Sequence, residues 1–279
     1  MRRLLILVLL AVAGCASTGP QLTVAAAPDP ASLVGWWRVD GTEQVVLIDP
    51  AGLEIQDPEL TTGGGLTLTG AWRADPDGRL LATVDTVFGP AFDVAPGSMS
   101  DVVADHAPEW VDAAVAFRVD GDQRMLLGAD GAEVARLVPH EPVAGSGVVD
   151  PGRQPTDAER RGFGPAAPLT DGLRPAEPAD LVGRWVPDGP HSAAYFELAE
   201  DGTWTGSDGC NGTGGAWLAT GGAFLATKSA VSTLMACPDM LDVGSAVGGA
   251  RRVAFDGTAL VLQDADGRTS GPWQRVGGS

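Results

Sequence analysis

The 279-residue chain carries 36 acidic side chains against 18 lysines and arginines, a formal net charge of −18, and three cysteines. No basic stripe offsets that acidity, which excludes nucleic acid as a partner; acidity of this kind serves solubility and names no cationic ligand. The length accommodates two domains of ordinary size.

At the N-terminus, Arg2 and Arg3 lead into an apolar run over residues 4–13. The run is too short to cross a bilayer, and behind a basic start it reads as the h-region of a secretory signal peptide. Val12-Ala13-Gly14-Cys15, directly after it, resembles the lipobox of bacterial lipoproteins. The resemblance implies a signal peptide over residues 1–14 and cleavage that leaves Cys15 as a lipidated (palmitate-bearing) N-terminus. An ordinary signal peptide with an incidental cysteine is the competing reading. Several acyl chains hold far more tightly than one. The expected location is therefore extracytoplasmic, lipid-anchored to the bacterial cell membrane, with residues 15–31 as a flexible tether.

Two segments follow, 32–140 and 180–277, separated by a Pro/Gly-rich stretch over 141–179 that offers nothing for a core and reads as an interdomain linker. The segments match each other in order. Leu33-Val34-Gly35-Trp36-Trp37 answers Leu181-Val182-Gly183-Arg184-Trp185, and Gly70-Ala71-Trp72 answers Gly215-Ala216-Trp217. Leu80-Leu81-Ala82-Thr83 answers Phe224-Leu225-Ala226-Thr227, and Pro108-Glu109-Trp110-Val111-Asp112 answers Pro238-Asp239-Met240-Leu241-Asp242. Asp120-Gly121 and Ala129-Asp130-Gly131 answer Asp256-Gly257 and Ala265-Asp266-Gly267. A duplicated domain is the reading, with two long repeats as two globular units.

Within the second copy, Phe196 and Leu198 alternate with Tyr195 and Glu197 as in a half-buried strand. Gly221-Gly222 separates two short strands as a hairpin turn, and Asp256-Gly257 reads as another. Pro238 is placed to open one helix, with Met240, Val243, Val247 and Ala250 on its inner face. Its glycines make it weak by propensity, so it must lean on tertiary packing. The expected fold class is α+β, mainly β: two tandem domains, each a curved antiparallel sheet with one short helix.

The order LVGRW, GSDGCNGTGGAW, STLMACPD, short helix, ALVLQDADG is similar to the META domain of the HslJ-like heat-shock lipoproteins, over roughly residues 180–276. The resemblance extends through the repeat to a diverged META-like first copy. It implies no enzymatic activity, and links to envelope stress response and antibiotic tolerance. The first copy departs from the pattern: Gly65 stands where Cys210 would align and Ala107 where Cys237 would.

That joint absence is what a disulfide pair would show, in a compartment where disulfides persist. A disulfide closing such a loop contributes about 3–4 kcal/mol. Two reduced thiols close in space, a metal site and a catalytic cysteine are the other readings. Zinc wants at least three protein ligands, and His106, His140 and His191 show no pairing at metal spacing; no metal and no cofactor are expected. A cysteine nucleophile needs a base, and only His191 is at hand. Asn211 beside Gly212 is expected to supply positive φ at a bulge or turn. Trp185, Trp204 and Trp217, with Asn211, read as core or as a ligand groove; the equivalence of Trp37 and Trp72 with Trp185 and Trp217 favours core.

The function expected is that of a membrane-tethered, non-enzymatic envelope protein acting through an envelope protein partner. The alternative is a binder of a small apolar ligand in the cup of the curved sheet.

Overall fold

The structure, a computed structural model, describes residues 27–58, 66–88, 99–141, 154–189, 193–229 and 241–277. Cys15, Gly65, His191, Cys237, Pro238 and Met240, the signal peptide and most of the tether lie outside them. The tether's last residues are ordered: Asp29 caps a 3-10 turn at Pro30–Leu33 through the Ala31 N–H, and Pro30 is buried.

The first sheet comprises β1 (Gly35–Val39), β2 (Val45–Ile48), β3 (Leu53–Asp57), β4 (Leu66–Ala74), β5 (Leu80–Phe88), β6 (Ala116–Asp120), β7 (Gln123–Leu127) and β8 (Glu133–Pro139), with helices α1 (Met99–His106) and α2 (Glu109–Ala113) between β5 and β6. All pairings are antiparallel, in the order β5-β4-β3-β2-β1-β8-β7-β6. The sheet curls until its edges meet: Leu80 N–H donates to Val115 O, and Phe117 N–H to Gly78 O. Along β3 and β4 every second residue is buried, the period-2 pattern of a sheet with one face in the core.

The second sheet comprises β10 (Gly183–Pro187), β11 (Ala194–Leu198), β12 (Thr203–Asp208), β13 (Gly212–Thr220), β14 (Ala223–Ala226), β15 (Ala250–Asp256), β16 (Ala259–Asp264) and β17 (Thr269–Arg275), with α5 (Val243–Gly249) between β14 and β15. Its order, β14-β13-β12-β11-β10-β17-β16-β15, repeats the first strand for strand. Its edges meet where Ala223 pairs Arg252. Ahead of it lie α3 (Asp157–Phe163), the two-residue β9 (Arg174–Pro175), which pairs with β15, and the single turn α4 (Pro178–Leu181).

The equivalence reaches individual hydrogen bonds. The indole N–H of Trp37 donates to Leu33 O at 2.7 Å, and that of Trp185 to Leu181 O at 2.8 Å. Trp72 donates to Asp49 O in the β2–β3 turn, and Trp217 to Ala199 O in the β11–β12 turn. The Thr83 hydroxyl donates to Ala71 O and the Thr227 hydroxyl to Ala216 O, each at 3.4 Å. Gly70 and Gly215 sit under these threonines: a Cβ would lie 1.8 Å from Thr83 O at the first and 2.4 Å from Thr227 O at the second.

Three expectations need correction. The described helix of the second sheet is Val243–Gly249, and Pro238, the start expected for it, lies outside the described residues. Asp242 caps it by accepting from Ser245 N–H at 2.8 Å. Val243 and Val247 face the core as expected, whereas Ala250 is already in β15. The hairpin turn after β15 is Gly257-Thr258, one residue later than read, because Asp256 pairs Ala259. The 141–179 stretch, finally, does contribute to packing. Phe163 from α3 belongs to the first core and stacks on Trp72 at 5.3 Å, and Ala176 belongs to the second. Residues 167–170 cover the outer face of β16 through Gln263, whose amide donates to Ala167 O and Pro168 O and accepts from Thr170. That cover explains why Ala259-Leu260-Val261-Leu262-Gln263 is buried on both faces.

Candidate functional site

The motif GSDGCNG occupies the end of β12 and the turn into β13. Gly206 is required by close approach: a Cβ there would meet Tyr195 O at 2.9 Å and the Val243 side chain of α5 at 3.1 Å. The turn is organised by Asp208, a residue the sequence reading passed over. Its Oδ1 accepts from Cys210 N–H at 2.7 Å and Asn211 N–H at 2.5 Å, and its Oδ2 from the Asn211 amide at 3.0 Å. Asp208 N–H closes the loop on Asn211 O at 3.1 Å. The bond to Cys210 N–H, two residues on, is an Asx-turn, and the Asp208-Gly209 pair that favours such a turn was available in the sequence.

Burial opposes ionisation of Asp208, but the N–H groups of Asn211 and Cys210 and the Asn211 amide outweigh it, holding the carboxyl below the usual carboxylate range. The positive φ of this turn belongs to Gly209, at +98°, and Gly209 N–H donates to Ser207 Oγ. Asn211 is buried, its amide committed to Asp208. Asp208 O accepts from Leu241 N–H at 3.4 Å, which brings the chain four residues beyond Cys237 against the turn that carries Cys210.

Trp185 and Trp204 are 1 % exposed and Trp217 is 8 % exposed. Each indole N–H finds a backbone carbonyl, Leu181 O, Thr227 O and Ala199 O respectively. With Trp273, Phe196 and Phe224 they fill the interior of the second sheet, and Phe196 meets Trp273 edge-on at 4.8 Å. These side chains are members of the second sheet's own core. His106 and His140 are half-buried in the first domain, distant in sequence and fold from Cys210. Among the described residues, no cluster of three His, Cys, Asp or Glu side chains could hold a metal, and no helix is long and apolar enough to cross a membrane.

A META domain is found at residues 178–275, from the start of α4 to the end of β17. No curated protein and no solved structure matches the chain.

Proposed function

We propose that this is a membrane-tethered envelope lipoprotein, anchored through a lipidated Cys15, that acts without enzymatic chemistry, through contacts with an envelope protein and in the stress or antibiotic-tolerance setting of META proteins. The observation that carries the reading is the META domain at 178–275, whose motif spends its polar groups on its own turn. Fractionation tests the tether: Cys15→Ser should leave the membrane fraction or accumulate unprocessed, and normal processing with unchanged retention would sink the idea. A pull-down with the lipidated chain, compared with the same chain bearing Asp208→Ala, tests whether the turn takes part in partner contact.

In the same reading the first sheet is a diverged copy of the META unit. The shared strand order and the paired tryptophan bonds support that. Cys210 and Cys237 form a structural disulfide tying the approach to α5 onto the β12–β13 turn, and the Leu241–Asp208 hydrogen bond supports it. Non-reducing mass spectrometry of exported protein decides; two alkylatable thiols would refute the bond.

A further inference from the structure

Between the two sheets lies a cavity of about 490 Å³, lined among others by Arg73, Arg161, Gly162, Phe163, Gly248 and Arg251. Arg73 comes from β4 of the first sheet and Arg251 from β15 of the second, and both are half-buried. Each reaches across to the other unit. Arg73 Nε–H donates to Gly248 O at 3.2 Å, near the C-terminal end of α5. Arg251 donates from Nη1 to Ala74 O at 3.2 Å and from Nη2 to Gly162 O in α3.

Among the described residues these bonds go to backbone carbonyls and take one N–H of Arg73 and two of Arg251, out of the five that each guanidinium carries. Neither arginine has a carboxylate in ion-pair range among the described residues. The acidic side chains of the cavity wall are directed elsewhere. Asp264 and Asp266 face Arg268 at 3.7 and 2.5 Å, and Glu159 closes the capping box of α3 on Thr156. The nearby Asp75 pairs with Arg79. In a chain with twice as many acids as bases, two neighbouring arginines are thus half-buried with no carboxylate in direct contact among the described residues, and Asp75, already paired with Arg79, favours the Arg251 charge only from a distance. Such burial is costly unless the charge is matched. Burial first, and then the charge of Arg73, with Asp75 opposing, pushes Arg251 down to about 10. Burial also lowers Arg73.

We infer that this interdomain cavity is a binding site for a tetrahedral oxyanion, inorganic phosphate or the head of a small phosphomonoester, gripped by Arg73 and Arg251. Two guanidinium forks match the several acceptors and double charge of phosphate better than they match a carboxylate. Arg161, exposed at the wall, adds a third positive charge. The volume leaves room for a small ester group. Because one arginine comes from each sheet, occupancy also fastens the two units together.

The test is phosphorus NMR of inorganic phosphate, and separately of glycerol phosphate, titrated with the full-length protein at constant ionic strength set with chloride. The wild type should broaden the phosphate line saturably, and sulfate should compete. Arg73→Gln with Arg251→Gln, checked for folding by circular dichroism, should weaken binding about tenfold or more, as expected for lost charge-assisted bonds. Should that variant not fold, the single Arg73→Lys and Arg251→Lys forms are read instead. Each keeps the charge but loses the fork, and each should bind several-fold more weakly. Glycerol phosphate binding as well as phosphate extends the site to esters; phosphate alone restricts it to the free ion. Absence of saturable broadening with wild-type protein, or binding undiminished in a folded arginine variant, overturns the proposal.

Discussion

The two sheets share a strand order and differ in what covers them. In both, a one-turn helix precedes the first strand, a tryptophan on that strand bonds back to the turn, and a second tryptophan bonds to a hairpin carbonyl. An arginine lies over the first tryptophan in each, Arg124 over Trp37 at 4.9 Å and Arg275 over Trp185 at 5.2 Å. Arg124 and Arg275, however, come from β7 and β17, which are not equivalent strands. The same contact is made from different strands in the two sheets. What covers the sheets differs more. The first has α1 and α2, with the Trp110 indole donating to Gln44, which in turn donates to Asp57. The second has a glycine-rich α5 and the 167–170 segment over β16. The lesson is that the same close-packed positions accompany the same strand order in both sheets, whereas the peripheral covers differ.

Removal of the paired tryptophans breaks this comparison hardest. Trp37→Ala and Trp185→Ala should each cost about 3–5 kcal/mol, the range for a buried aromatic whose cavity cannot fully collapse. Denaturant unfolding measures it. A severe loss at Trp185 with a mild one at Trp37 would show that the copies are not energetically equivalent.

Next come the glycines beneath the threonines. Gly70→Ala and Gly215→Ala force a Cβ against a backbone carbonyl and should each cost about 1–3 kcal/mol or more. The loss should be larger at Gly70, where the approach is closer. Equal tolerance at the two sites would contradict the packing described.

The helix caps sharpen the contrast between covers. Asp242→Ala removes the side-chain cap of α5 and should cost about 1 kcal/mol. The cap of α2, Pro108, makes no side-chain bond, so Pro108→Ala should cost less. Thermal melts of the two variants give the comparison directly.

The smallest effect is in pH. Asp208 is held below its usual range by the turn's N–H groups acting against burial. Asp242 is held there first by Ser245, with burial opposing. A carboxyl depressed in the folded state contributes stability that is fully present above its unfolded pKa. That contribution fades as pH falls through the folded value, so the loss should set in below about pH 4. Asp208→Asn should make the acid limb of the stability curve shallower than in the wild type; superimposable curves would remove Asp208 from the account.

How much of this could be read beforehand varied with the range of the interaction. The alternation in Tyr195-Phe196-Glu197-Leu198, the glycine hairpin at 221–222 and the ordered repeats are local signals, and they located strands and turns to within a residue or so. The buried tryptophans were legible because equivalent positions recurred. The Asp242 cap of α5 was not read from the sequence, because a single Asp does not say which geometry the flanking packing accepts. Asp208 went unread although its Asx pattern was in plain view, because the cysteine beside it drew the chemistry.

The sequence by itself determined the β-rich class and most turn positions, since each follows from backbone preferences or from side-chain periods of two. Tertiary structure alone decided three things: the meeting of sheet edges through Val115 and Arg252, the use of Phe163 and Gln263 to pack a stretch that looked like linker, and the convergence of Arg73 with Arg251. Those contacts join residues far apart along the chain. The loop-closure entropy they must overcome is supplied by burial of the whole assembly, and no short stretch of sequence carries a signature of that sum.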